Sequence, residues 1–371
     1  MRRILGPILL LLTLGTNAQQ YYLFIGTYTK GTSKGIYVYR FDEASGTAKP
    51  VSVTDSGVNL SYLVLSPDAR FVYAANETGG KDPGQVCAYS WDSVKGTLHS
   101  LNKQPSGGDN PCYVSEDTTG RWVFVANYGG GSLAAFPIAG DGSLGPAAQT
   151  IQHEGKGSNP RRQESPHVHS VVLTPDQHYL VSPDLGLDKV FVYNFRPDDQ
   201  EPLTSATPPY IGIKPGSGPR HIDFSPDHRF LYLIEELSGE VEVFGYNKGK
   251  FVPIQRIPSV MKDTSSDKGS ADIHLSPDGK FLYASNRGIT NNLAIYSVHM
   301  GSGKLKLVGF QDVLGAKPRN FVITPGGHFL LVANQDSNNV VIFKRNMETG
   351  LLTPTGEQVH IDSPVCLKWA H

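Results

Sequence analysis

One stretch of this sequence brings a cation, a base and carboxylates together. Residues 220–236, RHIDFSPDHRFLYLIEE, place two apolar alternating runs around a Ser-Pro-Asp turn. Proline and aspartate favour tight turns, and apolar runs on both sides of such a turn predict a β-hairpin. Because a hairpin returns to its starting point, Arg220 and His221 should lie beside Glu235 and Glu236. Histidine accepts protons near pH 7 and arginine binds anionic oxygens, so this grouping suits proton transfer on an anionic substrate.

This hairpin is one copy of a repeat of about 50 residues, the length of a β-propeller blade. Each turn is followed by an aromatic-rich strand such as FVYAAN or FLYASN, then by a third alternating strand and usually a short fourth one. Four antiparallel strands per repeat are typical of a propeller blade. The turns begin at Ser66, Asp117, Thr174, Ser225, Ser276 and Thr324.

A seventh blade is divided between the two ends of the chain. YYLFIGTYT and GIYVYRF near the N-terminus have the pattern of second and third strands, and the C-terminal PVCLKWA would supply the missing first strand. The sequence therefore predicts an all-β fold, a seven-bladed β-propeller of four-stranded antiparallel blades. Pairing of the N- and C-terminal strands would close the ring and remove exposed sheet edges.

The repeat places the polar candidates on one face, around the central channel. Two positions in each repeat lie at the end of the hairpin opposite its turn. One is five residues before the turn, and the other directly follows the second strand. The blade whose turn begins at Ser276 adds Asp272 and His274, which are two residues apart and so share one side of a strand. The candidates at the channel mouth are Tyr128, His169, Arg220, His221, Glu236, Asp272, His274, Arg287, Arg319 and Gln335.

The longest interval contains an insertion, IQHEGKGSNPRRQESPHVHS, which we predict to be a loop over this face. His167 and His169 at its end could hold a metal, but no third histidine or cysteine ligand is evident, so acid–base use is favoured over a metal site. Arg162 and His167 are candidates for substrate contact. Solvation alone accounts for Arg161.

Composition excludes several functions. The 371 residues include 33 basic and 34 acidic ones, which argues against nucleic acid or an anionic membrane as partner. No window shows sustained helical periodicity, so neither a strand–helix G-x-S-x-G elbow nor a dinucleotide fingerprint is expected; there is no P-loop either, and no cofactor is predicted. The three cysteines, Cys87, Cys112 and Cys366, are more typical of small buried residues than of a disulfide framework, although one disulfide stays open.

The N-terminus has the pattern of a secretory signal peptide. Arg2 and Arg3 precede an apolar run that is too short to span a bilayer, and small residues end at Ala18. We predict a signal peptide over residues 1–18, a single propeller domain over 19–371, and export to the periplasm or the medium. The sequence does not indicate an oligomeric state.

Five segments carry a resemblance to a known family. NPRRQESPHVHS, GSGPRHIDFSPD, EELSGEVEVF, ADIHLSPDGKFLYASNRG and KPRNFVITP resemble the seven-bladed lactonase family, which includes a bacterial type of 6-phosphogluconolactonase and carboxymuconate-lactonising enzymes. The resemblance implies metal-independent opening or closing of lactones on acidic substrates. By motif position it implies His169, Arg220, Glu236 and Arg287 as catalytic residues, with Asp272, His274 and Arg319 supporting or binding the substrate.

Two features depart from the family pattern. Its usual Asn-Glu-Leu is Glu235-Glu236-Leu237 here, which leaves open which glutamate faces the channel. Export is the second departure, because phosphorylated sugar lactones are cytosolic intermediates. An exported member would act on another lactone or sugar acid.

Three functional hypotheses follow. The first is hydrolysis of a sugar-acid lactone, with His169 or Glu236 activating water, Arg220 and Arg287 stabilising the oxyanion, and Arg319 holding an anionic group. The second is a cycloisomerase that closes a muconate-like acid. The third is a propeller that binds a glycan or protein without catalysis, since one fold hosts many functions.

Overall fold

Seven four-stranded antiparallel sheets surround a central axis in the computed structural model, which describes residues 19–261 and 268–370. This confirms the predicted seven-bladed propeller, and the described residues contain no helix. In chain order the strands are β1 (Gln20–Thr27), β2 (Ile36–Asp42), β3 (Thr47–Thr54), β4 (Leu60–Leu65), β5 (Phe71–Asn76), β6 (Gln85–Asp92), β7 (Thr97–Pro105), β8 (Pro111–Glu116), β9 (Trp122–Asn127), β10 (Ser132–Pro137), β11 (Gln149–Gln152), β12 (Val172–Leu173), β13 (Tyr179–Asp184), β14 (Lys189–Phe195), β15 (Leu203–Gly212), β16 (Pro219–Phe224), β17 (Phe230–Glu235), β18 (Glu240–Asn247), β19 (Lys250–Pro258), β20 (Ser270–Leu275), β21 (Phe281–Asn286), β22 (Asn292–Val298), β23 (Leu305–Asp312), β24 (Pro318–Ile323), β25 (Phe329–Asn334), β26 (Asn339–Arg345), β27 (Leu352–His360) and β28 (Pro364–Ala370).

The two ends of the chain share one blade. β28 pairs antiparallel with β1, so that Leu23 faces Trp369 and Ile25 faces Leu367, and β2 and β3 complete the sheet. The predicted ring closure is therefore correct. With the shared blade counted as blade one, blades two to seven are, in order, β4–β7, β8–β11, β12–β15, β16–β19, β20–β23 and β24–β27.

The Ser-Pro-Asp turns are structural. Ser225 Oγ donates to Asp227 Oδ1 at 2.6 Å and accepts from the amide of Phe230 at 2.9 Å. His228 closes the same turn with a φ of 62°, in the left-handed region. Ser276 repeats the contact to its aspartate, Asp278, at 2.5 Å. These self-contained turns lie at the end of the hairpins opposite the polar candidates, as the repeat predicts.

Apolar side chains pack between neighbouring blades. Between blades five and six, Tyr232 and Ile234 of β17 meet Ile273 of β20 and Ala284 of β21, all buried. Burial of this kind contributes about 25 cal/mol per Å² of apolar surface removed from water. Rigid inter-blade cores of this type fix the inner strands that carry the polar residues.

The inner strands bulge where they approach the functional face. In β16 the pairing with β17 shifts between Pro219 and His221, so Arg220 is the extra residue. The same shift occurs between Pro318 and Asn320 in β24. A bulge re-aims side chains locally, which lets Arg220 and Arg319 turn toward the channel mouth.

The structure bears on the predictions for the N-terminal segment, the cysteines and membrane-spanning helices. The predicted signal peptide, residues 1–18, lies outside the described residues. Cys87, Cys112 and Cys366 are free and buried, so none forms a disulfide. Within residues 19–261 and 268–370, no helix is both long and apolar enough to cross a membrane.

Candidate active site

A small polar pocket opens over the propeller axis, on the face opposite the Ser-Pro-Asp turns. Its volume is about 210 Å³. Larger cavities of about 580 and 730 Å³ are lined by neither arginine nor histidine. The small pocket is lined by Glu77, Cys112, Tyr128, Arg162, His169, Arg220, Glu236, Arg287 and Arg319.

Glu236 is the centre of this pocket. It follows the last residue of β17, and the hairpin brings it beside the bulged Arg220 of β16. Arg220 Nη1 donates to Glu236 Oε2 at 2.7 Å, and Arg287 Nη2 lies 2.9 Å from the same oxygen. Arg162 Nη2 reaches Glu236 Oε1 at 2.6 Å. One carboxylate therefore holds three guanidinium groups.

This arrangement fixes the charge of Glu236. Burial alone would raise its pKa, but Arg287, Arg220, His169 and Arg162 together hold that pKa well below the ordinary value. Burial lowers the pKa of Arg287 to about 10, which still leaves it charged at neutral pH. The pocket therefore contains an ionised carboxylate whose oxygens are already occupied by cations.

His169 is the neutral base of the pocket. Its Nε2 accepts a short hydrogen bond from Arg220 Nη1 and lies 3.8 Å from Glu236 Oε2. Arginine only donates, so Nε2 carries the lone pair and the proton sits on Nδ1, 3.7 Å from Cys112 Sγ. Burial first, then Arg220 and His221, lower the pKa of His169 well below its ordinary value. The cationic pocket thus holds an unprotonated nitrogen whose lone pair accepts from Arg220.

Arg319 provides a second cationic wall. Its Nη2 lies 3.7 Å from Glu77 Oε2, and its guanidinium carbon lies 5.3 Å from the centre of the Tyr28 ring. The Tyr28 hydroxyl donates to Glu77 Oε1 at 2.9 Å. These contacts hold the Arg319 side chain, which is 16% exposed, at the rim of the pocket.

The predicted insertion loop lies over the functional face. Residues 153–166 contain no strand, and the loop delivers Arg162 to Glu236 and, at 3.3 Å, to the Tyr128 hydroxyl. His153 anchors the loop, with Nδ1 2.7 Å from Asp184 Oδ2 and Nε2 2.8 Å from the Tyr193 hydroxyl. Arg161 is exposed, as predicted.

Glu236, and not Glu235, faces the pocket. Glu235 is fully buried inside blade five, where it forms a short ion pair with Arg256 and accepts from Ser238 Oγ at 2.5 Å. Its neighbours are side chains of its own blade and the approaching loop. The extra glutamate at the position of the family's asparagine therefore belongs to the scaffold.

Five residues predicted to bind substrate do not line this pocket. His167 stacks on the Tyr128 ring at 4.5 Å and 12°, so it supports a pocket residue. Gln335 is half-buried and donates to Asp336 Oδ1 at 3.2 Å. Each step along an inner strand leads away from the pocket. His221, Asp272 and His274 follow the residues at the level of the pocket on their strands, so they lie below the pocket along the propeller axis.

Two pocket residues were absent from the predicted site. Glu77 and Cys112 line it, at positions equivalent to Glu236 and Arg220 in blades two and three. The repeat register marks both positions, but a lone cysteine and a glutamate after an asparagine have no chemical motif of their own. In the described part of the chain, no group of three or more His, Cys, Asp or Glu residues is placed to hold a metal ion.

Comparison with known proteins decides the family. The sequence model described as "Lactonase, 7-bladed beta-propeller" matches residues 22–369. The chain belongs to the seven-bladed β-propeller lactonase family. Two relatives named 6-phosphogluconolactonase, from Formosa agariphila and Bacillus subtilis, are each 37% identical; the first covers 93% of this chain and 98% of its own, the second 95% and 99%.

Solved lactonase-family structures agree with this membership. A putative 6-phosphogluconolactonase from Bacteroides fragilis is 44% identical with a TM-score of 0.92, covering 96% of this chain and 99% of its own. A periplasmic gluconolactonase from Pseudomonas aeruginosa is 41% identical with a TM-score of 0.92, covering 95% and 99%. The family resemblance inferred from five segments of the sequence is confirmed over nearly the whole chain.

Proposed function

We propose that this protein hydrolyses the lactone of an anionic sugar acid, without a metal ion or organic cofactor. The observation that carries the proposal is the convergence of Arg162, Arg220 and Arg287 on one carboxylate beside the neutral His169, with Arg319 at the rim. Lactone opening needs a base for water and positive charge for the oxyanion, and this pocket offers both.

In the proposed mechanism, His169 activates the attacking water. When Arg220 turns from His169 Nε2 to the substrate oxygen, the freed Nε2 lone pair takes a proton from water as the water oxygen bonds to the lactone carbonyl carbon. Arg220 and Arg287 are placed to donate to the oxyanion that forms, an interaction that is strong because the pocket is buried. Glu236 holds these guanidinium groups in place. Its oxygens contact three arginines, whereas His169 Nε2 accepts from Arg220 alone, so we assign the base to His169.

The charge of the pocket favours an anionic substrate. Four arginines face two carboxylates, Glu236 and Glu77, which leaves a net charge of two positive. Arginine presents a planar fork that matches phosphate and carboxylate oxygens. The names of the relatives point to two candidate substrates. The name 6-phosphogluconolactonase indicates a phosphorylated lactone, and the name periplasmic gluconolactonase indicates an unphosphorylated one.

We further propose that the protein is exported. Support comes from the signal-peptide pattern of residues 1–18 and from the periplasmic relative. An exported enzyme meets sugar lactones outside the cytoplasm, where neutral aldonolactones and lactones that carry a further acidic group are the accessible substrates.

The proposal is tested with purified protein comprising residues 19–371. Hydrolysis of 6-phosphoglucono-lactone and of glucono-lactone is followed by acid release at constant pH, against the spontaneous rate in buffer. We expect hydrolysis of at least one of the two well above that rate. A spontaneous rate for both, together with loss of ultraviolet absorbance from a muconate-type dienoate, would replace the proposal by the cycloisomerase alternative.

Replacing Arg319 with methionine should weaken binding of a phosphorylated lactone more than that of a neutral one. Arg319 lies at the rim and does not contact His169 or Glu236, so its loss removes ground-state and transition-state binding equally. We expect KM for the phosphorylated lactone to rise about tenfold with kcat little changed. Steady-state kinetics on both lactones measure this, and an equal effect on the two would contradict an anion-binding role.

The acidic limb of the pH–rate profile should lie well below pH 6.5. Protonated His169 cannot accept a proton, so activity is lost only as pH falls through its depressed pKa. Between pH 8 and 6, kcat/KM should therefore stay flat. Initial rates at controlled pH measure this; a limb centred near the ordinary histidine value would show that His169 is not the base, or is not held neutral.

A further inference from the structure

A layer of seven side chains, one from each blade, lies directly beneath the pocket. On each inner strand, the member is the residue directly after the one that reaches the level of the pocket. The layer therefore lies one residue further along the propeller axis than the pocket. Tyr62 and Tyr113 stack at 4.1 Å on one side of this layer, and His221 meets their rings edge-on at 5.9 and 5.3 Å. The members are Tyr62, Tyr113, Ser170, His221, Asp272, Asn320 and Cys366.

A continuous chain of ionisable groups crosses this layer. The His169 and His221 rings are 5.3 Å apart, and His221 Nδ1 lies 2.8 Å from Asp272 Oδ1. The other oxygen of Asp272 lies 3.0 Å from His274 Nε2, and His274 Nδ1 lies 4.0 Å from Asp223 Oδ2. One carboxylate thus bridges two imidazoles through separate oxygens.

The two ends of this chain differ in exposure. His221 and Asp272 are buried, whereas the side chains of His274 and Asp223 are 28% and 32% exposed. His274 and Asp223 each lie two residues before a Ser-Pro-Asp turn, so they are near the face opposite the pocket. His221 Nε2, which is the ring nitrogen not bonded to Asp272, is buried without a hydrogen-bond partner among the described residues. A donor or acceptor left in this way is available for a transferred proton.

We propose that His221, Asp272 and His274 form a path that carries the proton released by hydrolysis from the pocket to the opposite mouth of the channel. This rests on the proposed lactonase function. When the lactone opens, the water oxygen bonds to the carbonyl carbon and the ring C–O bond breaks. One water proton ends on the new hydroxyl group, and the carboxylic acid releases the second, so each turnover yields one proton and no redox change.

The protonation preferences at the two ends of the path favour outward transfer, whereas Asp272, whose pKa His274 and His221 hold well below its ordinary value, is protonated only in passing. His169 has a pKa well below the ordinary value, burial lowers the pKa of His221 to about 4, and for His274 the contacts with Asp272 and Asp223 outweigh burial and raise the pKa. A proton accepted by His169 therefore meets a more basic group at the far end. The proposed transfer from His169 to His221 Nε2 passes through a bridging water, because the two rings, 5.3 Å apart, share no direct hydrogen bond.

The other groups around the path do not compete for this proton at neutral pH. Burial raises the pKa values of Tyr62 and Tyr113, and raises that of Cys366 to about 11, so all three stay protonated. Lys368 Nζ lies 3.4 Å from the Tyr62 hydroxyl, and Asn320 Nδ2 donates to Asp272 Oδ2. The titratable and charged groups that face the path are His169, Arg220, Asp223, Asp272, His274 and Lys368.

The test compares His274→Gln with His299→Gln, an exposed histidine in the outer hairpin of the same blade. At low buffer concentration, His274→Gln should lower kcat about tenfold with KM unchanged, and added imidazole should restore the rate. The solvent deuterium isotope effect on kcat should rise in the same variant. His299→Gln should match the wild type in all three.

The outcomes separate this path from the proposed function. Suppose that the wild type hydrolyses a lactone and that His274→Gln matches His299→Gln in rate, buffer response and isotope effect. This result would overturn the proton path and leave the lactonase function standing. A wild type that hydrolyses no lactone would overturn both. If His274→Gln does not fold, Asp223→Asn provides the second test, because asparagine retains the acceptor for the Leu275 amide, 2.7 Å away; the same buffer-dependent loss is expected there.

Discussion

Replacing His169 with alanine is expected to lower kcat by about 10²–10⁴-fold, the usual contribution of a positioned general base. The imidazole is the one uncharged proton acceptor among the ionised groups of the pocket, and its Nε2 faces the arginines that would bind the oxyanion. KM should change little, because the arginines that bind the anion remain. Steady-state kinetics on the lactone with the higher kcat/KM measure this.

The matched control is His178→Ala, an exposed histidine in the turn of the same blade, on the opposite face. It should retain wild-type kcat. Equal kcat for His169→Ala, His178→Ala and wild type would contradict the role of His169. If the wild type and both variants hydrolyse no lactone but retain the biological activity, the result supports the hypothesis of a propeller that binds a glycan or protein without catalysis.

Replacing Glu236 with glutamine is expected to lower the free energy of unfolding by about 3–5 kcal/mol, as for one partner removed from a buried ion pair. The change leaves Arg220 and Arg287 buried together without their shared counter-ion, 2.7 and 2.9 Å away in the wild type. Chemical denaturation at neutral pH measures the loss. Because both guanidinium groups lose their anchor, kcat should also fall strongly.

The pH dependence of this stabilisation follows from the depressed pKa of Glu236. The ionised Glu236 contributes fully to the free energy of unfolding at any pH above the ordinary glutamate pKa of 4.5. This contribution is lost as pH falls through the lower pKa of Glu236 in the folded state. The stability difference between wild type and Glu236→Gln should therefore shrink in acid. A difference independent of pH would contradict the ionised state of Glu236.

Glu235→Gln separates stability from chemistry. Glu235 is also buried and paired with an arginine, but Arg256 lies within blade five and outside the pocket. This variant should be destabilised while its kcat stays near the wild-type value. If Glu235→Gln lost activity as fully as Glu236→Gln, the assignment of Glu236 to the pocket would be wrong.

The repeat made the fold and the level of the site predictable. A turn at a constant offset from each apolar strand fixes which end of every hairpin reaches the functional face. Spacing and resemblance therefore predicted that His169, Arg220, Glu236, Arg287 and Arg319 share one end of the propeller, and all five line one pocket. Closure of the ring was predictable for the same reason, since the two chain ends together complete one repeat.

What the sequence left open depends on local geometry. The bulge at Arg220 shifts the pairing of β16 by one residue, so strict alternation does not decide between Glu235 and Glu236. His221, Asp272 and His274 lie close to the site in sequence but below it in space, because an inner strand runs along the axis and each residue moves away from the pocket. Sequence spacing gives proximity to the channel, not depth within it.

The most direct test of this account is a crystal structure with the product acid bound, gluconate or 6-phosphogluconate, at a concentration that inhibits the enzyme. We predict that its carboxylate lies beside His169 in the pocket and accepts hydrogen bonds from Arg220 and Arg287. An inhibiting acid bound in another cavity, with the arginines still paired to Glu236 alone, would contradict it.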